Sequence, residues 1–296
     1  LDLRPGELSS EFSKLLNKDY YPKNIEKQKG NGFFLAERKK KPESKFDIIY
    51  CNTVASLSTG IELKRSKCPQ SRLVLHLHES EYVINFLEPE FGNKISFIDN
   101  IIAVSELVKN TLQEKFNLNT NKVKVIPEFI DDKNLPRQKK PNIFVVGGAG
   151  TVEWRKGSDL FIQIARSLFL KYPEVNIQFK WMGKISDHDR VKINYDLEKA
   201  SLRNRVEFLG ESNEPEEFFQ HISVLLLVSR EDPFPLVAIE AGIKGVPIIC
   251  FEGATGTQEV IIKGGGRIIP YLDINCASDT LISYYKDPQL YLKDSK

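Results

Sequence analysis

Ser229-Arg-Glu-Asp-Pro-Phe-Pro-Leu-Val-Ala-Ile-Glu-Ala-Gly242 is the stretch whose reading decides the fold. Ahead of it, Val224 to Val228 is wholly apolar, the pattern of a strand buried on both faces of a parallel sheet. Pro233 and Pro235 forbid strand continuation, so Glu231 to Pro235 is a turn. Pro235 suits the first turn of a helix, where its missing N–H costs nothing. That helix is expected from Leu236 to about Lys244; Gly245-Val-Pro247 stops it, and Val246 to Phe251 is the next buried strand. Strand, loop, helix, strand puts the loop at the carboxyl end of a parallel strand, where open α/β sheets hold ligands. A helix start with free N–H groups suits phosphate, and Glu240, one turn in, leans back toward the same crevice. Together they imply a nucleotide-like ligand.

Working outward, the same alternation recurs on both sides. Phe46 to Cys51 reads as a strand, Thr53 to Arg65 as a helix, Arg72 to His78 as a strand and Asn100 to Val104 as another. Ser105 caps a helix carrying Leu107, Val108, Thr111, Leu112 and Phe116 on one face, and Lys122 to Ile126 is a further strand. Leu1 to Leu3 resembles the tail of a strand, followed by a turn at Arg4-Pro-Gly6 and an amphipathic Glu7 to Leu16. Periodicity lapses over Pro127 to Pro141, within which Asp131 to Pro141 reads as a linker. A second series follows: strand Asn142 to Gly147, helix Ser158 to Lys171 with Ser158 at its cap, strand Asn176 to Met182, helix near Val191 to Ser201, strand Arg205 to Leu209. The expectation is an α/β protein of two Rossmann-like, doubly wound parallel sheets, residues 1–138 and 139–296.

Composition narrows the partners. The chain has 296 residues, 41% hydrophobic and 28% charged, room for two globular domains. With 42 basic and 40 acidic side chains the net charge is +2, which gives no field for nucleic acid. Cys51, Cys68, Cys250 and Cys276 are scattered, without metal spacing, and read as reduced cytoplasmic thiols. No apolar run is long enough to span a bilayer. Lys39-Lys-Lys41 reads as a solvated face, with peripheral contact to an anionic membrane as the alternative.

The second series opens with Val145-Val-Gly-Gly-Ala-Gly-Thr151, then Trp154-Arg-Lys-Gly157. Glycines after a buried strand let backbone N–H groups approach an anion, and a nearby lysine adds a charged contact. The turn fits neither the dinucleotide GxGxxG pattern nor the P-loop, and a tight turn with exposed Arg155 and Lys156 explains it as well. The combination is more telling. The glycine turn, Arg155-Lys-Gly-Ser-Asp-Leu-Phe161 and the acidic loop resemble the retaining glycosyltransferases of family 4, of the two-domain GT-B fold. So do Phe46-Asp-Ile-Ile-Tyr-Cys-Asn-Thr53, Leu75-His-Leu-His-Glu79, Ile102-Ala-Val-Ser-Glu106, Val125-Ile-Pro-Glu-Phe-Ile-Asp131 and Val206-Glu-Phe-Leu-Gly210.

That resemblance implies a set of site residues. Two acids with seven residues between them bind the donor in the family; Asp232 and Glu240 have this spacing, and Glu231 is one place early. Glu240 would accept from the ribose diol of a nucleoside diphosphate sugar, and Asp232 would face the transferred sugar, with a helix cap as its alternative role. Backbone groups of Phe234, Pro235, Leu236 and Val237, with Gly148 and Gly150, would line the donor. Lys156 matches the phosphate-binding lysine, helped by Arg155, because Gly150 stands where the family commonly has arginine. His78 matches the histidine that faces the cleft, His76 being a rim residue; Glu79 and Glu259 would touch acceptor.

The implied reaction moves a sugar from that donor to a glycan or lipid-linked acceptor, without cofactor or metal. Positioned donors at the leaving diphosphate take the place of a cation, each worth ~3 kcal/mol of barrier. Against the family pattern, roughly forty residues of opening strand, turn and helix and a closing helix are missing, which suggests a truncated or processed chain. Two alternatives stay open: a non-catalytic binding or partner subunit on the same fold, and a GT-B-like nucleotide-sugar epimerase or phosphorylase.

Overall fold

The computed structural model of the chain describes residues 46–130, 143–212 and 214–295. The strand, turn and helix expected within residues 1–16, the lysines at 39–41, the expected linker and the boundary at 138/139 lie outside them. Residues 47–296 form one compact unit that contains two parallel sheets.

The first sheet has the order β1 (Ile48–Cys51), β2 (Arg72–Leu77), β3 (Asn100–Ala103), β4 (Val123–Val125). Each neighbour pair is parallel and consecutive in sequence. Helices α1 (Leu57–Ser66), α2 (Glu81–Leu87), α3 (Phe91–Lys94) and α4 (Glu106–Phe116) connect them. The core beneath holds Leu73, Leu75 and Leu77 from alternate positions of β2, with Ile84, Val108 and Leu112 from the helices. Ser105 caps α4 as expected, its Oγ accepting from the Val108 N–H at 3.2 Å. The α1 helix starts later than the sequence suggests because Val54–Ser56 forms a separate 3-10 turn capped by Thr53.

The second sheet has the order β10-β9-β8-β5-β6-β7. Its strands are β5 (Phe144–Ala149), β6 (Ile177–Met182), β7 (Val206–Gly210), β8 (Val224–Leu227), β9 (Ile248–Phe251) and β10 (Gly266–Ile269). Its helices are α5 (Ser158–Lys171), α6 (Asp187–Lys199), α7 (Pro215–His221), α8 (Leu236–Ile243), α9 (Gln258–Ile261), α10 (Ile274–Lys286) and α11 (Pro288–Asp294). All four residues of β8 and of β9 are buried, which is why both read as unbroken apolar runs.

The chain runs outward from β5 through β6 to β7, then returns to place β8 on the other side of β5. The strand order therefore reverses between the parallel strands β5 and β8, and the crevice beyond their carboxyl ends is where such sheets hold ligands. The packing there fixes the glycines. A Cβ on Gly148 would lie 2.8 Å from Trp181 Cζ3, inside the ring cluster of Phe161, Phe179 and Trp181. Gly157, at φ 75°, is the cap of α5, one residue before the serine expected there; a Cβ on it would run into the Val228 carbonyl.

Candidate functional site

Two loops meet at the reversal point. The first, Gly150 to Gly157, follows β5; the second, Val228 to Pro235, follows β8. Backbone ties them together: the Arg230 N–H donates to Arg155 O at 2.8 Å. Side chains then lock them. Arg230 grips the Asp159 carboxylate with two hydrogen bonds of 2.9 and 2.8 Å, donates to Trp154 O, and lies over the Trp154 ring. Burial alone would raise the Asp159 carboxyl, but the Arg230 guanidinium outweighs it and holds it below the usual range.

Within this frame the structure brings Lys156 and Asp232 together. Lys156 Nζ donates to Asp232 Oδ2 at 2.6 Å, and the Ser229 hydroxyl donates to the same oxygen at 3.2 Å. The side chains are 17% and 7% exposed, so the pair is largely withdrawn from water. Asp232 is not a helix cap: Pro235 holds that position on α8, and the Asp232 backbone instead bridges to Thr255. Gly150 lies beneath the Lys156 stem, where a Cβ would come within 3.2 Å of Lys156 Cδ. The Gly150 N–H is taken by Met182 O at 2.9 Å and its carbonyl by the Trp181 indole N–H at 2.8 Å, so this glycine makes room for the lysine while its peptide groups serve the scaffold. Arg155 turns its guanidinium to the Glu231 carbonyl at 3.1 Å and to Glu153 at 3.0 Å.

Glu240 stands one turn into α8. It is half-buried, and its carboxylate makes no hydrogen bond or ion pair with any described residue. Burial, then the charge of Glu216, pushes its carboxyl up from 4.5, and Lys244 opposes this. A half-buried acceptor without a donor is free to take a hydroxyl. Pro235 is buried, Leu236 is exposed and Val237 packs partly against the core under β8 and β9. Phe234 leaves its own half and packs against the core of the first sheet.

The remaining expected residues come from the first sheet or face it. His78 follows β2, and its Nδ1 lies 2.7 Å from Glu128 Oε1. Beside it, the His76 ring centroid is 4.0 Å away and His76 Nδ1 is 2.5 Å from the Tyr50 hydroxyl. Burial, then the His78 ring, lowers the His76 pKa, and the charge of Glu128 opposes this. Glu79 turns back to the Thr53 hydroxyl and the Val54 N–H, holding the turn before α1. Glu259 reaches across instead: its Oε1 accepts from the Glu106 N–H at 2.8 Å and the Leu107 N–H at 3.3 Å, capping α4 from the opposite half.

Sequence reasoning passed over Glu231, Ser229, Tyr82 and Glu128. Glu231 Oε1 accepts from the Tyr82 N–H at 3.0 Å, so it caps α2 across the cleft as Glu259 caps α4. Burial raises the Glu231 carboxyl, and Oε2 is buried without a partner. These contacts span about 150 residues of chain, beyond any local signal. Glu128 was within reach, since its motif is quoted above. Among the described residues no helix is long and apolar enough to cross a membrane.

Comparison with known proteins gives the family and the fold. Residues 128–295 match the family model described as Glycosyl transferases group 1, and residues 16–134 match that of Glycosyltransferase Family 4. An uncharacterized glycosyltransferase of Haemophilus influenzae is 28% identical over 204 residues, 68% of this chain and 56% of that protein. The O-antigen biosynthesis glycosyltransferase WclY of Escherichia coli is 26% identical over 273 residues, 84% of this chain and 72% of WclY. The chain spans about half the length of several such relatives. Among solved structures, Anabaena Alr3699/HepE in complex with UDP and glucose superposes with a TM-score of 0.70 at 21% identity, covering 85% of this chain and 71% of that one. Sucrose-phosphate synthase of Thermosynechococcus elongatus gives 0.69 at 20%, covering 85% and 67%. Both share the two-sheet fold.

Proposed function

Because the chain belongs to the glycosyl transferases group 1 family, we propose that it transfers a sugar from a nucleoside diphosphate sugar to a glycan or lipid-linked acceptor, with retention at the anomeric carbon and without a metal. The observation that carries this reading is the buried Lys156–Asp232 pair where the strand order of the second sheet reverses, with the half-buried Glu240 one turn into the helix that follows the same loop. Glu240 accepts from the ribose diol. Lys156, with Arg155 and the N–H groups at the start of α8, neutralises charge that grows on the leaving diphosphate. Asp232 aims the Lys156 ammonium and accepts from a hydroxyl of the transferred sugar, and His78 meets that sugar from the other half. Acceptor deprotonation falls to the leaving phosphate, on the face it departs from. Contact with an anionic membrane through Lys39 to Lys41 belongs to the same proposal, and sedimentation with anionic vesicles tests it.

The test is a thermal-shift and turnover screen of UDP-, GDP- and ADP-sugars on the full-length protein. UDP-sugars come first, since the HepE structure holds UDP. Glu240→Ala is expected to abolish donor binding, while His78→Ala lowers turnover and leaves binding near normal. Unchanged donor affinity in Glu240→Ala sinks the site assignment. Failure of every donor to be hydrolysed or transferred leaves the non-catalytic reading.

A further inference from the structure

We propose that Glu128 is the positioning residue for His78, holding its proton on Nδ1 so that Nε2 offers a lone pair to the reacting sugar; this rests on the function proposed above. The two side chains come from loops at the carboxyl ends of β4 and β2, with β3 between them. They meet at 2.7 Å, and at 29% and 32% exposure neither is freely solvated. A carboxylate can only accept, so the hydrogen bond requires a proton on Nδ1. In neutral imidazole the other nitrogen is then bare, and the partner of one nitrogen decides the state of the other.

The rest of the surroundings fixes the ring without competing for Nε2. His76 lies against its face, itself tied to Tyr50. The His78 main-chain N–H donates to Glu79 Oε2 at 3.1 Å, anchoring the start of the loop. Nε2 faces only the Asn52 amide oxygen Oδ1, an acceptor 3.4 Å away, longer than a well-formed bond and easily displaced; a flip of that amide exchanges its oxygen for its nitrogen. The amide of Asn52 can turn its nitrogen toward that lone pair, and a sugar hydroxyl that replaces it donates in the same sense. A ring clamped on one face and one edge loses little freedom when substrate arrives.

One rival reading uses the same atoms. Ligand atoms of His76, His78 and Glu128 lie within 4.8 Å of one another, and His76 Nε2 is buried without a partner. A cation there would take Nδ1 of His78 from Glu128, which makes the two readings exclusive.

The protein has four histidines, so ring nitrogens can be followed singly in 15N-histidine-labelled full-length protein, with His78→Gln identifying the resonance. At alkaline pH, His78 is expected to show a protonated Nδ1 and a bare Nε2. Glu128→Leu should shift the proton to Nε2, and Glu128→Gln, whose amide oxygen still accepts, should keep it in place. With a donor that turns over, Glu128→Leu should lower kcat about tenfold or more with donor Kd changed less than about twofold, and Glu128→Gln should recover most of the loss. A proton on Nε2 in the native protein overturns the proposal. So does an unchanged kcat in Glu128→Leu, or zinc titration that captures the His78 nitrogens at micromolar metal. The predicted nitrogen pattern without turnover of any donor supports the pairing and counts against the proposed function instead.

Discussion

Replacing Lys156 by alanine removes the ammonium that neutralises Asp232, and the consequence can be sized from the surroundings. The Asp232 side chain is 7% exposed and the lysine 17%, so the pair is a buried one. Breaking such a pair from one side costs ~3–5 kcal/mol, because the remaining charge has lost its compensation. The Ser229 hydroxyl still donates to Asp232 Oδ2, and the crevice lets water reach the space vacated, so the lower end applies: about 3 kcal/mol. Against a total stability of ~5–15 kcal/mol this lowers Tm by about 6–12 °C. Arg203 and Glu198, 55% and 63% exposed, provide the control: breaking that pair should cost ~0–1 kcal/mol. Urea denaturation of Lys156→Ala, Asp232→Leu and the combined Lys156→Met/Asp232→Leu protein checks the argument. The double variant should regain most of the lost stability, since two apolar groups leave no buried charge, yet it should bind no donor. A loss below about 1 kcal/mol in Lys156→Ala would show that the amine does not hold the carboxylate, and the geometry assigned to both would fall.

Gly157→Ala puts a methyl group against the Val228 carbonyl at φ 75°, and should cost about 3 kcal/mol or more, or prevent folding; wild-type stability would contradict the loop packing. Glu259→Ala removes the second cap of α4, leaving Ser105 on Val108, and should weaken local protection there by ~1 kcal/mol, seen as about fivefold faster hydrogen exchange at the Glu106 and Leu107 N–H groups. Unchanged exchange would mean the cap does not form. Glu231 and Glu240 both have carboxyls raised above 4.5, so the folded state binds more protons there than the unfolded chain. Their contribution is complete below 4.5 and is lost as pH rises through the raised values. Denaturation across pH 4 to 8 should therefore show a flatter upper limb in the Glu231→Gln/Glu240→Gln protein, and an identical profile would refute the assignment.

Most strands of both sheets were legible, most plainly those buried on two faces, where Val224–Leu227 and Ile248–Phe251 leave no other reading; β10, with only Ile269 buried, went unread. Short helices were harder. Glu81–Leu87 buries only Ile84, and Pro215–His221 only Phe219, so neither carries a stripe. Ile274–Lys286 is different, with Asp273 as its cap and Ala277, Leu281 and Ile282 buried along one face; that signal was present and unread. In the site, the spacing of Asp232 and Glu240 and the motif around Lys156 located the crevice. Spacing could not show that Lys156 and Asp232 bond each other, since 76 residues separate them. Nor could it show that Glu259 serves as a cap across the cleft.

Glu231 and Asp232 together explain how one loop serves both halves. The Asp232 N–H donates to Ala254 O at 2.8 Å and its carbonyl accepts from the Gly256 N–H at 3.3 Å, so the chain is strand-like at this point. Successive side chains of an extended segment point to opposite sides. Asp232 is thereby sent to Lys156 within its own half, and Glu231 to the start of α2 in the other. The acid that is out of register for the donor is in register for the opposite half. The same backbone that aims the lysine thus also carries the contact between halves, and a shift that frees Tyr82 must strain the seat of Asp232. That contact is not strong. Glu231 Oε2 is buried with no partner, an omission that costs about 1–3 kcal/mol and offsets what the Tyr82 hydrogen bond contributes. Persistence then depends on the neighbours, Phe234 against the first core and Glu259 on α4. A join of several modest contacts around one imperfectly satisfied acid can open without unfolding either sheet, as the donor exchange proposed above would require.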